Sequence, residues 1–126
     1  MKILMIEATK YTPMINLDPQ KGVFEFKGKS YPENTFDFYS PVIDWIEKYF
    51  MSDRSAPTRV NMDIIYFNSS SSKLFFDFFD ILDEARKNGY SVEVNWYYDK
   101  ENESSLEAGE DFKEDFEELT FNLIEK

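Results

Sequence analysis

The densest run of chemistry-bearing side chains is Asn68-Ser69-Ser70-Ser71-Ser72-Lys73. It follows the apolar run Ile64-Ile65-Tyr66-Phe67 and precedes a segment of helical period, so it reads as a strand-to-helix junction. The first backbone N–H groups of a helix lack intrahelical partners. The helix dipole favours negative charge there, by about 0.3–1 kcal/mol at exposed sites. A phosphate on one of these serines is therefore compatible with the fold, and it places about two negative charges on the surface. That is the physics of a modification switch. The same residues also suit an ordinary helix cap, because Asn and Ser are preferred there whatever the function. Four serines exceed what one cap needs. Ser70 and Lys73 have the Ser-x-x-Lys spacing of acyl-serine enzymes, but the partner motifs of those enzymes are absent.

A second constellation is Asp99-Lys100-Glu101-Asn102-Glu103-Ser104-Ser105-Leu106-Glu107-Ala108-Gly109-Glu110. Read as a calcium loop over 99–110, it has acids at several ligand places. Ser104 stands where such a loop needs glycine, and a strand precedes it rather than a helix. A solvated acidic segment is the plainer reading, with a divalent-cation binder as the alternative. The third feature is an excess of aromatics. Phe76 falls off the apolar stripe of its helix, near Asp80 and Asp83, as a contact anchor or as a peripheral core residue. Carboxylate pairs are plentiful and none stands out for acid–base work, which leaves a small carboxylate enzyme as a rival needing a cleft. The scattered glycines form no phosphate loop, and no cofactor is expected.

The chain of 126 residues contains neither cysteine nor histidine. Disulfides, thiolate nucleophiles, zinc–sulfur and iron–sulfur sites, Ser-His-Asp and Cys-His catalysis and a histidine pH switch are all excluded. Lys and Arg total 14 against 25 Asp and Glu, a net charge of −11. Nucleic-acid backbones and anionic membranes call for clustered cations, so neither is an expected partner. A mimic of nucleic acid remains a third rival. Aromatic residues make up 18% of the chain, which argues against disorder. The start, Met1-Lys2-Ile3-Leu4-Met5-Ile6-Glu7, is too quickly charged for a signal peptide, and no apolar stretch is long enough to span a membrane. The expected location is the cytoplasm.

These residues need elements to position them. Ile3–Ile6 reads as a strand. Met14–Leu17 and 22–27 flank Asp18-Pro19-Gln20-Lys21 as a hairpin, and 28–34 reads as a turn-rich stretch. Ser40 is the expected cap of a helix with Pro41 in its first turn, and Val42, Ile43, Ile46, Tyr49 and Phe50 share its apolar face. A loop over 52–57 leads to a strand at 60–67, apolar on both faces in its second half and so central. A helix follows to Asn88, with Leu74, Phe75, Phe78, Phe79, Leu82 and Ala85 as its stripe and Gly89 as its stop. Residues 91–98 form a strand, 106–115 a helix and 118–123 a closing strand. The acidity concentrates at 99–118, with ten acids and two lysines. The alternation predicts an α/β fold: one compact domain over 1–126, a mixed β-sheet with a hairpin near the N-terminus and helices packed on it.

Five blocks then stand in register: Thr12-Pro13 with Leu17-Asp18, Ser30-Tyr31-Pro32-Glu33-Asn34, Tyr66 to Lys73, Trp96-Tyr97-Tyr98-Asp99 and Glu107-Ala108-Gly109-Glu110-Asp111-Phe112. Together they resemble the SiaC family of bacterial regulatory phosphoproteins, from about residue 6 to the end. The resemblance implies a STAS-like domain similar to the anti-sigma-factor antagonists, and a non-enzymatic role in partner switching. It implies a Ser/Thr protein kinase of histidine-kinase-like fold and a PP2C-type phosphatase as partners. The unmodified form is expected to bind an output protein associated with a diguanylate cyclase, cyclic-di-GMP signalling and biofilm formation. It points to Ser69 as the acceptor, with Ser70 second. Asn68, Ser71, Ser72, Lys73, Phe76 and Asp80 become the expected partner-binding residues, with Lys73 a phosphate partner or a docking mark.

Overall fold

The computed structural model describes residues 1–52 and 56–126. Six strands, β1 (Leu4–Ile6), β2 (Met14–Asp18), β3 (Val23–Ser30), β4 (Thr58–Phe67), β5 (Val92–Tyr98) and β6 (Thr120–Glu125), form one sheet in chain order. The first three pair antiparallel; β3 to β6 pair parallel. Each parallel step is bridged by a helix: α1 (Thr35–Met51), α2 (Ser69–Lys87) and α3 (Glu103–Asp115). Parallel neighbours require such crossovers, which is why the strand–helix alternation was readable from the residues.

Register fixes the two faces. Leu17, Phe24, Val60, Val94 and Phe121 lie side by side in one row, and all are buried. All three helices pack on that face. Phe24 meets Trp45 and Tyr49 of α1, Phe26 meets Phe78 of α2, and Trp96 meets Phe112 of α3. Burying each such aromatic contributes roughly 1.5–3 kcal/mol. The next row, Asn16, Glu25, Asn61, Asn95 and Asn122, points the other way. There Asn95 Nδ2 donates to Asn61 Oδ1 and Asn122 Nδ2 donates to Asn95 Oδ1, both at 3.0 Å. The fold thus has two layers, with a polar amide ladder on the uncovered side.

Several boundaries differ from expectation. Helix α1 begins at Thr35, capped by Asn34, whose side chain accepts from Asp37 N at 3.0 Å. Ser40 and Pro41 therefore lie inside the helix. Pro41 forgoes one backbone bond, and burial of Tyr39 in the turn before it outweighs that loss. Strand β3 continues to Ser30 through the supposed turn, because Lys29 and Ser30 pair with Tyr66 and Phe67. Helix α3 starts at Glu103 and β6 ends at Glu125. The expected 52–57 loop lies partly outside the described residues. The hairpin turn is as read: Asp18 Oδ1 accepts from Gln20 N and Lys21 N, and Gly22 turns the chain at φ 68°.

Candidate functional site

The site is set by one extra residue. Gly28 pairs with Ile64 and Lys29 pairs with Tyr66, so Ile65 is a bulge in β4. The strict in–out alternation breaks there. Ile65 and Tyr66 are exposed, and Phe67 turns into the core against Phe75 at 5.3 Å and Trp96 at 5.9 Å. The expectation of a central strand is met by pairing on both sides, but its last residues are not apolar-buried on both faces. Outside, Tyr66 stacks edgewise on Tyr31, and Tyr31 on Tyr11.

Anchored by Phe67, the chain enters α2. Asn68 is the N-cap: its side chain accepts from Ser71 N at 2.9 Å, and its own N–H donates to Ser30 O at 3.1 Å. The four serines now separate. Ser71 is fully buried, and its hydroxyl donates to Ser30 O at 3.0 Å. Ser71 Oγ also lies 2.8 Å from Ser30 Oγ, which lies 2.6 Å from the Tyr39 hydroxyl. Each hydroxyl has one proton. With the Ser71 proton committed to the carbonyl, Ser30 must donate to Ser71 and Tyr39 must donate to Ser30. Burial holds the Tyr39 phenol far above its ordinary value, against the smaller opposing effect of the Ser30 bond, so this proton stays in place. Ser69 and Ser70 are exposed, and Ser72 is half-buried.

Ser69, Ser72, Lys73 and Phe76 recur at helical spacing and face α3 across a groove of about 670 Å³. Its other wall is Ala108, Asp111, Phe112 and Asp115, and Asp77 joins from α2. Asn102 fastens the start of α3. Asn102 caps it by accepting from Ser105 N at 3.1 Å, and donates through Nδ2 to Ile65 O, at the bulge, at 2.9 Å. Gly109 permits close approach to the sheet: a Cβ there would lie 2.6 Å from Trp96 Cδ1.

Of the expected residues, Ser69, Ser72, Lys73 and Phe76 meet in one groove; Asn68 and Ser71 are structural neighbours behind it. Asp80 is exposed outside the groove lining, and Ser70 also lies off it. Asp77, Ala108, Asp111 and Asp115 were not anticipated. Their spacing on α3 marks a face, but nothing local says which helix that face meets. The calcium-loop reading of 99–110 is corrected, since the segment from Glu103 is helix and Asp99 Oδ1 accepts from Glu101 N at 2.9 Å. Among the described residues no acidic cluster is arranged to hold a metal ion, and no helix is long and apolar enough to cross a membrane.

The model of the SiaC family of regulatory phosphoproteins matches residues 6–126. The chain belongs to the SiaC family. As a family member it is a regulatory phosphoprotein and not an enzyme. This SiaC-family protein is 40% identical over 115 residues to an uncharacterized protein of Pseudomonas aeruginosa strain UCBPP-PA14, covering 91% of this chain and 90% of that one. Crystalline apo-SiaC from Pseudomonas aeruginosa superimposes with a TM-score of 0.88 at 36% identity, over 100% of this chain and 99% of the other. SiaC in complex with the diguanylate cyclase SiaD, whose activator it is, superimposes with a TM-score of 0.91 at 36% identity, over 98% and 99%.

Proposed function

We propose that residues 1–126 act as one SiaC-like adaptor domain in the cytoplasm, switched by reversible phosphorylation of Ser69. A Ser/Thr kinase of histidine-kinase-like fold adds the phosphate, and a PP2C-type phosphatase removes it. The unmodified form binds an output protein, a diguanylate cyclase, and so feeds cyclic-di-GMP signalling and biofilm formation. The likeness to SiaC bound to SiaD supports the cyclase as output.

The observation that carries the acceptor assignment is the division of the serines. Ser71 is buried and bonded, Ser70 is exposed away from the groove, and Ser69 is exposed in the first helical turn at the groove itself. A dianion on Ser69 is tolerated by the α2 N-terminus yet alters the surface a partner touches.

The test is phosphate uptake measured by intact mass with the cognate kinase, and cyclase binding measured by calorimetry. Ser69→Ala is expected to take up no phosphate and to bind the cyclase as the unmodified protein does. Ser69→Asp is expected to bind it more weakly. Stoichiometric uptake by Ser69→Ala overturns the assignment, and equal binding by the two variants overturns the switch.

A further inference from the structure

Helix α2 has a second flank, facing α1. The two helices each follow a strand of the parallel part of the sheet, so they run in the same direction with both N-termini at one end. Between them lies a groove on the side of α2 away from α3. Its first half is a cavity of about 320 Å³ and its second half one of about 260 Å³, joined at Glu47 and Ile81. Phe36 and Met51 stand at its two ends, separated by roughly 22 Å of helix. Phe36 is 73% exposed and Met51 84%. Between them Ile43, Leu74 and Ile81 are half-buried. A single exposed apolar side chain is ordinary, but two large ones bracketing an apolar floor mark a surface that binds. The rim carries Asp44 and Glu47 from α1 and Asp77 and Glu84 from α2; among the described residues lining the groove there is no lysine or arginine. Asp44, Glu47 and Asp77 form no ion pair among the described residues, and Glu84 reaches only the exposed Lys87, at 4.0 Å.

We propose that the α1/α2 groove is a second docking surface and takes a basic amphipathic helix of a partner protein. The apolar face of that helix lies on Phe36, Leu74, Ile81 and Met51, and its lysines and arginines face Asp44, Glu47 and Glu84. The occupant's charge follows from the rim: carboxylates gathered without a cation repel one another, and a basic partner relieves that repulsion. Nucleic acid and anionic membranes are repelled by the same charges. A second copy of this chain, at net charge −11, is a poor occupant too. A helix suits the shape, because an apolar groove reads residues spaced three and four apart, and this one is long enough for about 15 residues of helix. The surface stands apart from the switch. Ser69, Ser72, Lys73 and Phe76 face α3, whereas Leu74 and Ile81 face α1. A phosphate on Ser69 adds its charge across a helix about 10–12 Å wide, beyond a Debye length of about 8 Å at physiological salt. The groove therefore holds its partner in either state of Ser69.

Calorimetry at physiological salt titrates the full chain with a synthetic amphipathic helix of leucine and lysine, about 15 residues long, and with its leucine–glutamate counterpart. The lysine helix is expected to bind and the glutamate helix is not. Asp44→Lys/Glu47→Lys is expected to weaken the lysine helix about tenfold or more, the scale of close charge pairs at interfaces. Phe36→Ala, which leaves the charge alone, is expected to weaken it about fivefold or more, the scale of an aromatic anchor. Glu107→Lys/Glu114→Lys makes the same change in net charge on α3, where neither residue lines a groove, and is expected to have little effect. Ser69→Asp is expected to bind as the parent does. All the residues changed are exposed, and circular dichroism checks folding. Failure of the lysine helix to bind, equal binding by the glutamate helix, or parental affinity in either groove variant overturns the proposal. An equal loss in the Glu107/Glu114 variant reduces the attraction to net charge and overturns the groove. A change in Ser69→Asp as large as that in the Asp44/Glu47 variant overturns its separation from the switch.

Discussion

The Ser71 hydroxyl donates to the Ser30 carbonyl at 3.0 Å, and through it the first turn of α2 is fastened to the end of β3. Because the hydroxyls of Tyr39, Ser30 and Ser71 form one directed chain, α1 shares that fastening through Tyr39. The neighbouring Ser69 is left free at the surface by the same turn that commits Ser71 to the interior.

Ser71→Ala is expected to lower stability by about 1–3 kcal/mol, the cost of leaving a buried hydroxyl without its acceptor. Urea unfolding measures it. The folded variant is expected to accept phosphate at Ser69 undiminished. If instead it is folded and takes none, the acceptor is Ser71.

Tyr39 makes stability sensitive to alkali. Its folded-state value is raised above the ordinary 10.0 by burial. The neutral phenol is the form the fold selects, so the contribution is complete below pH 10 and is lost as pH rises beyond it. Tyr39→Phe gives up the hydrogen bond to Ser30 but has no phenol to ionise. Thermal unfolding from pH 8 to 11 is expected to show a steeper decline for the parent than for Tyr39→Phe. Parallel curves would remove this account.

Gly109→Ala is expected to cost about 1–3 kcal/mol by overpacking, because its methyl would meet Trp96 and Leu123. The fluorescence of Trp96 should shift with it, and a double variant with Trp45→Phe isolates that signal. A neutral effect on stability would mean that α3 can ride outward.

Much of the architecture was legible because periodicity reports burial directly. Phe75, Phe78, Phe79 and Leu82 share one helical face, and Val60 and Met62 alternate inward as a strand should. Ser71 stands four residues before Phe75 on that same face, so its interior position was readable, although the run of serines hid it. Other features had no local signal. Asn34 and Ser40 are both competent caps, and only burial of Tyr39 before Pro41 decides between them. The reach of β3 to Ser30 depends on pairing with residues almost 40 positions away, Tyr66 and Phe67. The aspartates of α3 belong to the site only because crossover helices on neighbouring strands come to lie side by side.

The bulge at Ile65 makes the site a matter of counting as well as composition. A strand of these same residues that alternated strictly onward from the buried Ile64 would point Tyr66 inward and Phe67 outward. Phe67 would then leave Phe75 and Trp96, and the start of α2 would lose its anchor in the core. Over the generations, substitutions along this stretch can be absorbed one at a time, whereas a change that straightened the full-length strand would turn its anchoring ring to solvent at a stroke.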